Sequence, residues 1–482
     1  MPSSANSACA RNSAKNGYTA VLLRAWAAVS TLSVATAKLR VAFHFSSDAG
    51  GQWTGTLDSP DQGAAGIPID KVTLNQNTLR CEIKVIAGTF AGTLAPDGQS
   101  IAGTFTQLQR PLPLTLKPAS AADIAPPSRP QTPSPPYPYV SEDVVFSNAA
   151  ANIELAGTLT KPHGTGPFPA VLLIAGSGPN TRNEEVAGHK IFLVLADSLT
   201  RRGLAVLRVD KRGVGLSKGD YAHATTEDFV SDALAAVAYL RGRPDIAARH
   251  IGLIGHSEGA VIAPETAVRS RDVAFLILIG APAVRGDAIL QRQSELIREA
   301  DPAHSLAFNA FGSERQRQVI AAVEHEPNDE HASQRIREIW AAQQAKATTS
   351  GFSESERREL EQQATTVDAQ IKQLTSPWMR YFLTYDPAPV LRKVRQPILV
   401  LYGALDLQVP PSQNRSVMEA ALKSDKDHTV SELPGINHLM QPAKTGVPNE
   451  YQKIETTIDP QVLHLISDWL SRQAGLSAAS AG

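Results

Sequence analysis

Ser257, Asp406 and His438 are three residue types that together can activate a hydroxyl, and they fall in that order along the 482-residue chain. A serine hydroxyl is a weak nucleophile until an imidazole takes its proton. The imidazole works best when a carboxylate fixes its tautomer and stabilises its charged form. Ser257 lies in Ile251-Gly-Leu-Ile-Gly-His-Ser-Glu-Gly-Ala260, an apolar β-type run that ends in Gly-x-Ser-x-Gly and passes into small residues. That pattern predicts a sharp strand-to-helix turn with the hydroxyl projecting from the sheet, and Gly255 and Gly259 leave room for it. Asp406 ends Leu399-Val-Leu-Tyr-Gly-Ala-Leu-Asp406, just beyond a buried strand-type run, and His438 sits on a loop after the short β-type stretch 429–433. The order serine, acid, histidine is the one this kind of turn requires. Asp425 and Asp427, in a Lys/Asp-rich run, are the rival acids; His428 and His464, without a strand-end setting, are the rival bases. An oxyanion formed on acyl transfer needs two backbone donors, which map to Glu258 and to Ser177, with Gly178 as the alternative.

The elements needed to hold these residues are legible around them. Ala170–Ile174, Leu204–Val209, Phe275–Ile279 and Ile398–Tyr402 are continuous apolar runs of the kind buried on both faces of a sheet. Residues 189–202 and 226–240 carry apolar side chains at helical spacing, and strands are expected also over 143–146 and 153–159. Repeated strand-helix alternation implies an α/β fold with a mostly parallel sheet and helices on both faces. Pro264 falls where the helix after Ser257 should continue, at the expected cost of a hydrogen bond or a kink. From Gly286 to Leu374 the alternation stops in a charged stretch rich in Ala, Gln, Glu and Arg, read as several inserted helices forming a cap at about 286–385. Trp378, Phe382 and Tyr385 end it at helical spacing, and one or two of them are expected to line an acyl pocket.

Upstream, residues 38–117 alternate polar and apolar positions between turn signals such as Pro96-Asp-Gly98, which predicts a small antiparallel β-module. Residues 118–138 are Pro-rich and read as an interdomain linker, and 139–482 as the domain carrying Ser257. Residues 1–37 have two readings. Arg11 and Lys15 before the apolar run 25–35, with Ala35-Thr-Ala37, suit an export signal and a periplasmic or secreted protein. Strands over Val29–Ala35 and Lys38–Phe45 are the competing reading, with a cytoplasmic location as the alternative.

Composition narrows the function. Lys plus Arg number 46 against 47 Asp plus Glu, so no charge excess points to nucleic acid or an anionic membrane. Cys9 and Cys81 are too few for a disulfide scaffold, and the twelve histidines lack ligand spacing, so no metal is expected. No other stretch reaches the ~18 apolar residues of a membrane span.

Together, Gly-Ser-Gly-Pro-Asn-Thr-Arg-Asn (176–183), Asp-Lys-Arg-Gly-Val-Gly (210–215), Gly-His-Ser-Glu-Gly (255–259), Leu-Asp-Leu-Gln-Val-Pro (405–410) and Gly-Ile-Asn-His (435–438) resemble the bacterial α/β-hydrolase serine esterases that carry a β-rich N-terminal domain. The resemblance implies a carboxylesterase of short acyl esters, no cofactor, and Ser257, Asp406 and His438 as the triad. Ala175 departs from it, standing where many α/β-hydrolases have His before the oxyanion glycine. An acyl-CoA thioesterase, a serine peptidase or an acyltransferase would use the same fold, with Arg201-Arg202 and Lys211-Arg212 as the candidate phosphate groove of a thioesterase. A cell-envelope binding protein, anchored by the β-module, is the reading from another class. The oligomeric state is left open.

Overall fold

The computed structural model describes residues 26–34, 37–48, 52–62, 64–107, 110–125, 127–424 and 427–475, and it divides at Ser128/Arg129 into two compact units. Cys9, Asp425 and the first 25 residues of the candidate export segment lie outside the described residues.

The first unit is antiparallel throughout. Its strands are Trp26–Val34 (β1), Ala37–Ser47 (β2), Trp53–Ser59 (β3), Ala64–Pro68 (β4), Lys71–Asn75 (β5), Thr78–Ile83 (β6), Gly88–Leu94 (β7), Ile101–Gln107 (β8) and Arg110–Pro118 (β9), in the order β4-β3-β2-β1-β9-β8-β7-β6-β5. Alternation puts Phe43, Leu79, Cys81, Ile83, Phe90, Ile101, Phe105 and Leu116 into one core, with Phe43 against both Phe90 and Phe105. Burial pushes the Cys81 thiol up to about 12, which leaves it unreactive. The backbone of β1 pairs with β2 from Trp26↔Phe45 to Val34↔Ala37. Neither β3 nor β4 is apparent from alternation, because Trp53 and Leu57 are the only large apolar side chains in β3.

The second unit is an α/β-hydrolase fold. Strands Val140–Asn148 (β10), Ile153–Lys161 (β11), Phe168–Ile174 (β12), Ala205–Val209 (β15), Ile246–His256 (β16), Val273–Ile279 (β17), Ile398–Gly403 (β18) and His428–Leu433 (β19) form a sheet in the order β10-β11-β15-β12-β16-β17-β18-β19. From β15 onward all neighbours are parallel, while β10-β11 and β11-β15 are antiparallel. A two-residue hairpin, Glu185–Val186 (β13) with His189–Lys190 (β14), replaces the start of the expected 189–202 helix. The helix proper begins at Ile191, where the apolar stripe begins.

Labelled after the short Ala121–Ile124 turn (α1), helices Ile191–Arg201 (α2), Thr226–Arg241 (α3) and Gly259–Arg269 (α4) follow β14, β15 and β16. Pro411–Leu422 (α12) and Pro460–Gln473 (α13) complete the two helical layers. α2 and α13 cover one face, burying Leu195, Leu199, Ile466 and Trp469 against Val171, Ile254 and Leu401; α3, α4 and α12 cover the other against Leu172, Leu253 and Val400. Each such fully buried aliphatic side chain stabilises the fold by about 1.5–3 kcal/mol. α4 runs through Pro264: residues 259–267 are all buried, and their packing outweighs the lost hydrogen bond.

The insertion between β17 and β18 is helical, as expected: Gly286–Glu299 (α5), Leu306–His325 (α6), Asp329–Thr349 (α7), Glu354–Ala364 (α8), Val367–Leu374 (α9), Pro377–Thr384 (α10) and Ala388–Leu391 (α11). It owns a core of Val323, Ile336, Trp340, Ile371, Met379 and Leu383, so its helices pack on one another.

The second half of the Pro-rich stretch is fastened to the second unit. The Arg129 guanidinium donates to the carbonyls of Ala187, Gln452 and Ile454. The Gln131 side-chain oxygen accepts from Thr457 N (2.7 Å) and Ile458 N (3.0 Å), and its amide donates to Ile458 O (2.7 Å). Gln131→Ala would leave those buried N–H groups without an acceptor, at about 1–3 kcal/mol each. Expected is a denaturation midpoint lowered accordingly with an unchanged m-value; a midpoint equal to that of the unaltered protein would show the contact to be idle.

Candidate active site

The stretch around Ser257 is built by close approach of backbones. Ser257 has φ +54°, and its N–H donates to Ile279 O at 2.8 Å. A Cβ on Gly259 would stand 1.9 Å from Ile174 O, and one on Gly255 would stand 2.1 Å from Gly259 O. Only glycines let β16 turn into α4 this tightly, so the Gly-x-Ser-x-Gly spacing is a steric requirement here.

Asp406 and His438 are in contact beside this turn. His438 Nδ1 lies 2.7 Å from Asp406 Oδ2, and Asp406 Oδ1 accepts from Gln408 N and Val409 N, both at 2.8 Å. Both residues are buried, and Ser257 is partly open to solvent. Gly280, following the residue that bonds Ser257 N, has φ +56°, and a Cβ there would press on the His438 ring at 3.0 Å. Of the rivals, Asp427 is exposed, His428 starts β19, and His464 is exposed on α13 against Arg202.

Glu184 and His256 add a link that sequence reasoning missed. His256 Nδ1 lies 2.9 Å from Glu184 Oε1, its Nε2 lies 3.1 Å from His438 O, and the two histidine rings are 4.8 Å apart. Both partners are acceptors, so the doubly protonated imidazolium satisfies both. Burial works against that cation, but the Glu184 carboxylate, the His438 carbonyl and the Asp406 charge together raise the His256 pKa.

The loop after β12 lies against Ser257: a Cβ on Gly176 would stand 3.1 Å from Ser257 Cβ. Gly176 N donates to Glu184 Oε1 (2.6 Å), and Gly176 O accepts from Lys211 Nζ (2.6 Å) and Asn180 Nδ2 (2.9 Å). Gly178 stands at φ +100°, and burial pushes the Tyr221 phenol up to about 12. Arg182 reaches Asp210 through its backbone N–H and its guanidinium, so the 176–183 and 210–215 motifs form one structure.

Two of the three cap aromatics face this region. Phe382 and Tyr385 line a narrow cavity of about 20 Å³ with Val261, Pro282, Val284 and Glu258. Trp378 stacks on Phe382 at 5.1 Å and donates its Nε1–H to Glu258 Oε1 at 2.6 Å.

The family model described as serine aminopeptidase, S33, matches residues 189–441, more than half of the chain. The chain belongs to this S33 family. It is 26% identical over 318 residues to the esterase EstD of Thermotoga maritima, a match covering 66% of this chain and 65% of that protein, less than two thirds of the relative's length. Among solved structures, the Pyrococcus furiosus esterase Pf2001 aligns at 14% identity and TM-score 0.43, over 72% of this chain and 98% of its own. The α/β hydrolase GrgF of Penicillium sp. sh18 aligns at 16% and 0.42, over 70% and 99%.

Within the S33 frame, most charges near Ser257 are matched inside the protein, and one carboxylate oxygen is not. Glu258 is held by Lys211 (3.0 Å), Thr226 (2.8 Å) and Trp378, and Glu265 by Tyr385 and Arg269; Glu184 accepts from Gly176 N and pairs with His256 through Oε1 alone, and its buried Oε2 has no hydrogen-bond partner. Of the basic pairs suggested for a phosphate groove, Lys211 is buried on Glu258, Arg212 binds Asp228 and Asp232, Arg201 binds Asp197, and Arg202 binds Asp468.

Proposed function

We propose that the chain is a serine hydrolase that cleaves small, uncharged carboxylic esters through an acyl-enzyme. His438, oriented by Asp406, takes the Ser257 proton as the hydroxyl attacks the ester carbon. The N–H groups of Ser177 and Glu258 receive the oxyanion, and His438 returns the proton to the leaving alkoxide. Water repeats the sequence on the acyl-enzyme. The contact of His438 Nδ1 with Asp406 Oδ2 beside the Ser257 turn carries this reading.

The matched cations favour an ester over an acyl-CoA. A CoA ester brings phosphates, and the four candidate cations are each taken by carboxylates. The deciding measurement is kcat/KM on p-nitrophenyl esters of graded chain length beside acyl-CoAs and aminoacyl anilides. Acetyl to butyryl esters are expected to lead, and a leading aminoacyl anilide would replace the proposal with an aminopeptidase.

The acyl chain is assigned to the space beside Glu258 and Val261 under α10, which Phe382 and Tyr385 nearly fill. Phe382→Ala should lengthen that space by about two methylene groups and raise kcat/KM on the hexanoyl relative to the butyryl ester about tenfold, at ~0.8 kcal/mol per buried CH₂. An unchanged chain-length profile would place the acyl chain elsewhere.

A further inference from the structure

We propose that Lys211 is a positioning residue that presets the Gly176–Ser177 peptide as the first oxyanion donor, an assignment that rests on the hydrolase reading above. The amide plane between Gly176 and Ser177 is held at its carbonyl by two donors, Lys211 Nζ at 2.6 Å and Asn180 Nδ2 at 2.9 Å. A trans peptide points its N–H opposite to its C=O, so a fixed Gly176 carbonyl fixes the Ser177 N–H on the other side. The preceding N–H of Gly176 is held just as closely by Glu184 Oε1, at 2.6 Å. Gly176 is therefore gripped on both edges by buried charged side chains, while its α-carbon lies against Ser257.

The far ends of these two side chains flank the serine. Glu184 pairs with His256 at 2.9 Å, and Lys211 pairs with Glu258 at 3.0 Å, the residues immediately before and after Ser257. Lys211 thus touches both oxyanion elements at once: the carbonyl behind the Ser177 N–H and the side chain of Glu258, whose own N–H is the second donor. Its ammonium also sits 4.4 Å above the Phe229 ring. A buried ion pair is a poor way to stabilise a fold, since apolar residues of similar volume often do as well or better. What apolar residues cannot do is hold a carbonyl oxygen. A cation on that carbonyl also polarises the amide and strengthens its N–H as a donor. The arrangement accounts for Ala175: the loop has no histidine of its own there and takes its support from Lys211 and Glu184.

The test compares the full-length protein with Lys211→Met, the double variant Lys211→Met/Glu258→Gln, and Ser257→Ala. The readouts are kcat and KM on p-nitrophenyl butyrate, the melting temperature, and the Ki of a trifluoromethyl ketone whose hemiketal places an oxyanion in the same hole. Lys211→Met should lower kcat on the order of 100-fold with KM within about threefold, and raise the ketone Ki in parallel. The double variant leaves no lone buried carboxylate, so it should melt close to the unaltered protein and keep the low kcat and the weak ketone binding. A purely structural role would reduce the active fraction, lowering kcat while leaving the ketone Ki where it was. Either folded Lys211 variant with an unchanged ketone Ki overturns the assignment. Activity surviving in Ser257→Ala would instead remove the hydrolase reading beneath it, so the two failures are distinct.

Discussion

Replacing Ser257 by alanine is expected to lower ester turnover by on the order of 10⁶-fold while leaving the fold intact, the loss seen when a unit of nucleophile and base is broken. The backbone argument supports an intact fold. Alanine meets the same strain as serine at φ +54°, and the bonds that hold the turn, Ser257 N to Ile279 O and Ala260 N to Ser257 O, belong to the main chain. No acyl-enzyme can form without the hydroxyl, so the remaining rate would come from the oxyanion donors and binding alone. Steady-state kinetics beside melting curves measures this directly, and a fluorophosphonate should label Ser257 in peptide mapping. A folded Ser257→Ala protein with full turnover, or a label on another serine, would remove Ser257 from the chemistry.

What the sequence carried was local. The runs of β12, β16, β17 and β18 are apolar on both faces because helices cover both, so they stand out without any partner being known. The glycines at 255 and 259 are readable for a similar reason, since the contacts they must allow are with their own turn and the neighbouring strand end. The helical insertion was legible from composition, as a charged, Ala-rich stretch between two buried strands. Its grip on Ser257's neighbour was not: Trp378 and Glu258 are 120 residues apart, and the indole N–H reaches the carboxylate only once α10 folds back over α4. Glu184 lies 72 residues from His256, and Lys211 lies 47 from Glu258. No periodicity encodes such pairs, because topology decides which loops meet.

Adjacent residues also part company in ways the sequence hides. Lys211 and Arg212 look like one basic patch, yet Lys211 turns inward to Gly176 and Glu258 while Arg212 binds α3 through Asp228 and Asp232. The Pro-rich stretch divides likewise. Its prolines announce a spacer, but Arg129 and Gln131 are polar groups satisfied by carbonyls and N–H groups of residues 187 and 452–458, far off in sequence. A truncated protein meant to isolate the hydrolase unit therefore has to begin before Arg129, not at Pro138.

Asp406→Asn is expected to lower kcat by about 10⁴-fold with little change in KM, because the substitution preserves the geometry and spoils the protonation pattern. The Asp406 carboxylate is used at both oxygens: Oδ1 accepts from Gln408 N and Val409 N, and Oδ2 faces His438 Nδ1 at 2.7 Å. An asparagine can keep the first pair only by directing its carbonyl oxygen at those two N–H groups. Its NH₂ then points at His438 Nδ1 and requires that nitrogen to be an acceptor. The neutral ring must carry its proton on Nε2 in that case, and an Nε2 that already holds a proton cannot take one from Ser257. The reverse orientation would keep the tautomer but turn an NH₂ against two buried N–H groups, which costs more. Stability should stay close to that of the unaltered protein, since the variant loses a charge but no shape. The measurement is kcat and KM beside a melting curve. A folded Asp406→Asn protein with near-normal kcat would mean that another acid orients His438, or that another base serves Ser257.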